Sequence, residues 1–291
     1  MPKGIIACSE AIAIAPDRAL AYYRRAFAKW GLDDLEGADL DYGKAIVLDP
    51  EFASPHAERA QVLAELKRFD EAHREIDLAM KIEPKLPDHV RRLGRIYELE
   101  SRMDEAAAAF ERAIDLNPDD GWSYEGRAWF NISSGKWADA DNDCQLMLKK
   151  LPKTPDSYRC IAHARWAAND MPGTLEALAQ ALKIDPKFGA AYYDKGRISF
   201  ETSDYEEAAA NFSTAILLNY RLADALVYRG DTLRNLKLEN SALKDYRHAA
   251  KLAGRELAPI ISKRISGLKS EVPASLDDSA YYPQDRRKTS Q

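Results

Sequence analysis

The sequence predicts an all-α fold, a right-handed superhelical solenoid of antiparallel helix pairs with a repeat length of about 34 residues. One observation is a recurring proline, found at Pro16, Pro50, Pro84, Pro118, Pro152 and Pro186. A second is a column of small residues that keeps the same step and contains only Ala or Gly, at Ala26, Ala60, Gly94, Ala128, Ala162, Gly196 and Gly230. A fixed period of this length is typical of stacked helical repeats.

The chemistry of these columns explains why helices should pair and stack. Small residues let two helix backbones approach closely, which ridge-into-groove packing requires. Proline ends the second helix of each pair because it has no N–H donor and disfavours helix in the residue before it. A single pair cannot bury its apolar face, so neighbouring pairs must supply the core. The bulky side chains expected to fill that core recur at Ile12, Ile46, Met80, Ile114, Leu148, Leu182 and Ile216.

Read in order, the period assigns one helix of a half repeat to residues 3–15. Seven full repeats follow, which start near residues 19, 53, 87, 121, 155, 189 and 223. The junction between the fourth and fifth repeats departs from the pattern, because Met147 replaces Ala and Lys150 replaces Ile or Leu. We therefore expect a local irregularity around residues 147–155.

The pattern degrades after Gly254. Arg264 occupies the column otherwise restricted to Ala or Gly, which favours a solvated capping helix over an eighth close-packed repeat. We expect the solenoid to span residues 1–270. Residues 271–291 are polar and contain proline, so they are predicted to form a disordered tail.

Bulk composition narrows the function classes. The chain has 42 basic and 47 acidic residues, so its net charge of −5 disfavours nucleic-acid binding. No apolar run approaches the roughly 18–20 residues that cross a bilayer, so no membrane span is predicted. The three cysteines are widely spaced and lack a CxxC motif, which favours reduced thiols and a cytoplasmic protein. Cys8 and Cys144 share a core column, where we expect small buried hydrophobic side chains, and a reactive role for Cys160 is disfavoured.

Catalytic signatures are missing from the sequence. It contains no Gly-rich phosphate loop, no HExxH and no GxSxG. The five histidines are scattered without metal-ligand spacing. The sequence therefore predicts a protein that is not an enzyme and has no cofactor and no metal.

The period, the small columns and the terminal prolines resemble the tetratricopeptide repeat family, in its bacterial-style tandem form. This resemblance implies that the first helix of each pair lines a concave groove that binds a peptide or a partner protein. The columns facing that groove give the candidate binding residues Arg91, Arg95, Trp122, Trp129, Arg159, His163, Trp166, Tyr193, Arg197 and Phe200. Aromatic and Arg side chains are enriched where binding energy concentrates. The alternative is that several of these rings pack against the neighbouring repeat.

Two other columns have different predicted roles. One holds Arg25, Arg59, Arg127 and Arg229 and resembles a scaffold arginine of such repeats, so we expect a structural role for it. The columns that form a carboxylate clamp in some members of the family hold Tyr23, Phe27, Glu58, Asp88 and Arg92 here, in place of Lys and Asn. A clamp for the C-terminal carboxylate of chaperones is therefore rejected.

The leading functional hypothesis is an adaptor or scaffold whose groove takes an acidic segment with aromatic side chains. The tail contains Asp277, Asp278, Tyr281 and Tyr282 and is one candidate ligand, although it could equally serve as a solubilising end. Two alternatives remain open: the regulatory part of a larger enzyme or signalling polypeptide, and self-association through the open ends of the stack. RNA recognition is disfavoured because the net charge is acidic and no base-reading code is visible.

Overall fold

The computed structural model describes residues 3–252 and 257–268. These residues form sixteen α-helices and no β-strand. Their bounds are α1 Lys3–Ile14, α2 Ala19–Trp30, α3 Leu35–Leu48, α4 Ala53–Glu65, α5 Phe69–Ile82, α6 Pro87–Leu99, α7 Met103–Leu116, α8 Gly121–Ser133, α9 Trp137–Lys150, α10 Pro155–Ala167, α11 Met171–Ile184, α12 Gly189–Glu201, α13 Tyr205–Leu217, α14 Leu222–Asn235, α15 Glu239–Ala250 and α16 Leu257–Leu268.

The chain divides into two compact units, Met1–Pro186 and Lys187–Gln291. The first unit contains α1 to α11 and the second contains α12 to α16. Within each unit, the two helices of every predicted repeat pack against each other, as α2 does with α3 and α14 with α15. The prediction of an all-α fold of consecutive helix pairs is confirmed.

The column of small residues lies where helices approach closely. The side chains of Ala26, Ala60 and Ala128 have no solvent exposure. At Gly230 the approach is closer still, because a Cβ atom there would lie 2.5 Å from Cε1 of Tyr246. Residues of this column therefore set the distance between neighbouring helices.

A residue in the left-handed backbone region links the two helices of each repeat. It recurs once per repeat at the same register position, with φ between 61° and 73°, at Asp33, Lys67, Ser101, Gly135, Asn169, Ser203 and Lys237. The next residue bonds back to the first helix, as Arg68 N does to the Leu63 carbonyl at 2.8 Å. This is the geometry with which many helices end. Only Gly135 adopts it without a side-chain penalty.

The shared arginine column has the expected structural role. Each of these arginines binds a carboxylate 16 residues further along, on the second helix of the same pair. The N–O distance is 2.7 Å in each pair: Arg25–Asp41, Arg59–Glu75, Arg127–Asp143 and Arg229–Asp245. Both side chains of the last pair are almost fully buried.

The expected irregularity at residues 147–155 is not present in the helix bounds. α9 ends at Lys150 and α10 begins at Pro155, each one full repeat after the end of α7 at Leu116 and the start of α8 at Gly121. Met147 is fully buried in place of the usual Ala. Lys150 Nζ binds Asp119 Oδ1 at 2.6 Å, so the substituted lysine has a partner outside the core.

The expectation of three unpaired cysteines is wrong. Cys144 on α9 and Cys160 on α10 form a disulfide, with their Cα atoms 5.4 Å apart. Cys8 is free and only half-buried, so it does not share the full burial of Cys144. The pairing also removes the cysteine-based argument for a reduced compartment.

The second unit ends in the expected cap. α16 buries Ile261 and Leu268, while Arg264 reaches Asp231 on α14 through two hydrogen bonds of 2.6 Å. A charged side chain thus occupies the column that elsewhere permits close packing. The predicted tail, residues 271–291, lies outside the described residues. Within residues 3–252 and 257–268, no helix is both long and apolar enough to cross a membrane.

Candidate functional site

Seven of the ten predicted binding residues lie in the first unit and three in the second. The first unit places Arg91 and Arg95 on α6, with Trp122 and Trp129 on α8. Arg159, His163 and Trp166 follow on α10.

A cavity of about 400 Å³ lies among α4, α6 and α8 of the first unit, and we call it the arginine cavity. Its walls combine three guanidinium groups with apolar side chains. They are formed by Gln61, Arg91, Arg92, Arg95, Glu98, Phe110, Gly126, Trp129, Ile132 and Ser133. Cationic and aromatic groups thus converge on one concavity.

The arginines differ in how firmly they are held. Arg92 donates to Asp88 Oδ2 at 2.7 Å and to Gln61 Oε1 at 3.3 Å, so it is fixed in the wall. Arg95 donates to Glu98 Oε2 at 2.6 Å, yet 48% of its side chain is exposed. Arg91 contacts Asp88. Its Nε is buried and has no hydrogen-bond partner among the described residues. Arg91 and Arg95 are the groups available to an incoming anion.

Gly126 makes room for this arrangement. A Cβ atom at residue 126 would lie 2.8 Å from Cγ and Cδ of Arg91 and 3.2 Å from Cε1 of Phe110. Because glycine has no side chain, the stem of Arg91 and the ring edge of Phe110 both reach the space above α8. A core phenylalanine therefore contributes to the cavity wall.

A row of rings continues from the cavity onto α10, and we call it the aromatic strip: Trp129, His163 and Trp166. The ring centroids of Trp129 and His163 are 4.7 Å apart, and those of His163 and Trp166 are 6.1 Å apart. Trp129 belongs to both features and is 36% exposed. Trp122 is also exposed but is not a cavity wall residue.

Glu125 lies behind the strip on α8. Burial raises the pKa of its carboxyl group, and Asp156 raises it further. Arg91, the Trp129 indole N–H and Arg159 oppose this rise but do not cancel it.

The three predicted residues of the second unit form a closed cluster. Tyr193 is only 3% exposed and packs against Phe212, Tyr220 and Tyr228. The prediction that Tyr193 offers a stacking surface is wrong, because these rings cover it. Phe200 contacts Tyr228 and is half-buried.

Arg197 belongs to the same cluster. Its guanidinium carbon lies 6.0 Å from the ring centroid of Tyr228, and its Nη2 lies 3.8 Å from Glu201 Oε1. These three residues of the second unit are mainly packing residues of that unit.

The columns rejected as a carboxylate clamp are occupied by internal contacts. Glu58 is buried and accepts hydrogen bonds from Tyr23 at 3.0 Å and Tyr42 at 2.6 Å. Burial and Glu58 raise the pKa of Tyr23 to about 12 and that of Tyr42 further still. These hydrogen bonds join the first two repeats, since Tyr23 and Tyr42 belong to the first and Glu58 to the second.

Several wall residues were missed in the sequence. Gln61 shares the column of Arg95 and Trp129, while Glu98 and Ile132 share the column of Trp166, so their spacing carried the signal. Phe110 could not be found in this way, since it belongs to a core column and is reached only through Gly126. Among the described residues, no group of three His, Cys, Asp or Glu could hold a metal ion.

Comparison with known proteins finds a repeat family. A family model described as "Tetratricopeptide repeat" matches residues 57–121 and 161–216. The first segment runs from α4 through α7, and the second includes most of the sixth repeat. Over these two segments the chain is similar to the tetratricopeptide repeat family.

Tetratricopeptide repeat proteins of several kinds are similar to this chain. It is 26% identical to human "Tetratricopeptide repeat protein 13" over 156 residues, which are 51% of this chain and 18% of that protein. It is 24% identical to human "Mitochondrial import receptor subunit TOM70" over 212 residues, 70% of this chain and 29% of the relative. The chain thus spans less than a third of the length of these relatives.

A solved tetratricopeptide repeat structure supports the fold. The crystal structure of yeast Tom70 matches with a TM-score of 0.71 at 18% identity, over 91% of this chain and 58% of that one. At this level of identity the likeness concerns the fold alone.

Proposed function

We propose that the first unit binds a peptide segment of a partner protein, with an acidic group in the arginine cavity and an apolar or aromatic side chain on the aromatic strip. One observation carries the proposal: Arg91 and Arg95 share a cavity of about 400 Å³ with Phe110 and Trp129. This volume lies in the range of about 300–1,000 Å³ that is usual for ligand sites.

The charge arrangement favours a carboxylate. The exposed Arg95–Glu98 pair contributes about 0–1 kcal/mol in water, so an incoming carboxylate can compete for Arg95 at little cost. Arg91 lies in the same wall, and 28% of its side chain is exposed. A guanidinium binds a carboxylate through paired, charge-assisted hydrogen bonds.

The aromatic strip supplies the apolar half of the recognition. Ring stacking and cation–π contacts at half-exposed aromatic groups add about 0.5–1.5 kcal/mol each. The rings lie along successive first helices, so they extend from the cavity in the direction that an extended peptide would follow. A protein ligand is consistent with the human relative whose name describes an import receptor.

Selection from a random peptide display library tests the proposal. We expect the selected peptides to place Asp or Glu beside an aromatic or bulky apolar residue. Arg95→Glu should weaken the tightest selected peptide at least tenfold, about 1.4 kcal/mol. Trp129→Ala should weaken it by a similar factor. The matched control is Arg112→Glu, since Arg112 is exposed on α7 of the same unit and is not a wall residue of the cavity.

A second peptide tests whether the protein's own tail binds this surface. A synthetic peptide of residues 271–285 carries four acidic side chains and two tyrosines, and it should compete with the selected peptide if the tail occupies this surface. Equal affinity of the wild type, Arg95→Glu and Trp129→Ala for the selected peptide would refute the proposed site. Enrichment of basic peptides would refute the proposed ligand chemistry.

A further inference from the structure

The disulfide lies between two neighbouring repeats of the first unit. Cys144 is on α9, the second helix of the fourth repeat, and Cys160 is on α10, the first helix of the fifth. Both side chains are buried, at 0% and 3% exposure. The bond is therefore part of the inter-repeat core, at the junction whose sequence departs most from the pattern.

Other junctions place a large aromatic side chain at the same pair of columns. Tyr42 bonds to Glu58 at 2.6 Å, the ring of Phe110 covers Gly126, and Phe212 stacks on Tyr228 with centroids 5.4 Å apart. Each of these pairs has the same sequence separation as the two cysteines. The fourth-to-fifth junction has two small side chains there and a covalent bond in place of the aromatic contact.

This bond also bears on the aromatic strip. α8 carries Trp129 and packs against α9, while α10 carries His163 and Trp166. Linking Cys144 on α9 to Cys160 on α10 therefore limits movement of α10 relative to α8. The contact between the rings of Trp129 and His163, with centroids 4.7 Å apart, joins α8 to α10.

We propose that the Cys144–Cys160 disulfide fastens the fourth repeat to the fifth and that both cysteines are positioning residues for the aromatic strip. The second half of this proposal rests on the proposed function, whereas the first half does not. Structural disulfides persist in oxidising surroundings, so the protein has its full binding competence there and loses part of it when the bond is reduced.

The redox step is thiol–disulfide exchange. A thiolate of a dithiol reductant attacks one sulfur, which breaks the Cys144–Cys160 bond and forms a mixed disulfide. The second thiol of the reductant then closes a cyclic disulfide and releases two protein thiols. In the reverse direction, two cysteine thiols and one low-molecular-weight disulfide give the protein disulfide and two small thiols.

Thermal unfolding with and without dithiothreitol tests the fastening role. The disulfide closes a loop between residues 16 positions apart. Closing a loop of this length should raise the melting temperature of the first unit by roughly 5–10 °C, and reduction should remove that gain. Amide exchange of residues 147–155 should accelerate on reduction. Cys8→Ala is the matched control, because it removes a thiol and should leave both responses unchanged. An unchanged melting curve, with three thiols titrated in the reduced protein, would overturn the fastening role.

Binding measurements test the positioning role separately. The tightest selected peptide should bind the reduced protein at least fivefold more weakly at a temperature where circular dichroism shows both forms folded. Because a purely stabilising bond would not alter the affinity of folded protein, unchanged affinity would overturn this half of the proposal.

Two variants sharpen the test. The double variant Cys144→Phe with Cys160→Gly copies the Phe110–Gly126 pair, and its affinity should no longer respond to reductant. In the His163→Ala variant, reduction should have little further effect on affinity. A full fivefold loss in that variant would show that the disulfide does not act on binding through the aromatic strip. If no peptide is selected at all, the proposed function fails while the melting experiment still decides the fastening role.

Discussion

Replacing Gly230 with alanine should destabilise the second unit, although alanine is the better helix former. A Cβ atom at residue 230 would lie 2.5 Å from Cε1 and 2.9 Å from Cδ1 of Tyr246. Ordinary contacts between carbon atoms begin about 1 Å further out. The Tyr246 ring must therefore shift by roughly that amount.

Tyr246 has little freedom to shift. Its ring is fully buried, and its hydroxyl donates to Asp231 Oδ1 at 2.6 Å. Overpacking of this kind costs about 1–3 kcal/mol, against a gain of about 1 kcal/mol from helix propensity. The net loss should reach about 2 kcal/mol, which for a unit of this size lowers the melting temperature by up to roughly 10 °C.

Differential scanning calorimetry of the purified variant gives the result directly. Gly43→Ala is the control, since a Cβ atom there meets Arg59 at an ordinary 3.6 Å within helix α3. That variant should melt at or above the wild-type temperature. A Gly230→Ala variant as stable as Gly43→Ala would refute the view that this column sets the helix spacing.

Three other perturbations test the packing of the repeats. Arg229→Met should cost about 3–5 kcal/mol in chemical denaturation, because it removes the guanidinium that neutralises the buried Asp245, and Asp245→Leu in the same chain should recover most of the loss. Ser101→Gly should stabilise the first unit by about 1 kcal/mol, since residue 101 has φ near 64°. In a spectrophotometric pH titration, Tyr23 should ionise only near pH 12. The stability from its raised pKa is complete below about pH 10 and is lost as the pH rises through 12.

Each of these three predictions has a control variant or a control measurement in the same protein. Ser134 lies at the end of α8 with φ of −89°, so Ser134→Gly should not stabilise the protein. Glu58→Gln should lower the pKa of Tyr23, because it removes a neighbouring negative charge. If Arg229→Met with Asp245→Leu is as unstable as Arg229→Met alone, the ion pair itself contributes the stability. The cost would then not come from the buried charge of Asp245.

Much of the fold follows from spacing alone. Helix bounds, the small column and the scaffold arginines recur at one fixed period, so their places were readable in the sequence. The disulfide was not readable, because no other repeat has cysteines 16 residues apart: Cys8 shares the column of Cys144, but Arg24 lies 16 residues after it. The left-handed turn residues were equally hidden, since Lys67 and Ser101 have no preference for that backbone region.

The candidate site was predicted in part, for a related reason. Column position shows which helix face a side chain occupies, and this placed Arg95 and Trp129 on one cavity. It does not show what the next repeat places above that face. Tyr193 is covered by Tyr220 and Tyr228, whereas Phe110 is uncovered by Gly126, and both outcomes depend on neighbouring repeats.

One sequence interval, of 16 residues, joins helices in two different ways. Arg25 with Asp41 links the two helices of one repeat by charge, while Cys144 with Cys160 links one repeat to the next by a covalent bond. Burial raises the pKa of Asp41, but Arg25 and Lys29 outweigh it and leave the pKa below its usual value. Acid must therefore bring the pH below the lowered pKa of Asp41 before the Arg25–Asp41 link is lost, whereas a dithiol breaks the Cys144–Cys160 bond at neutral pH. Acid should therefore weaken the contact between the two helices of the first repeat. A reductant should instead weaken the contact between the fourth repeat and the fifth.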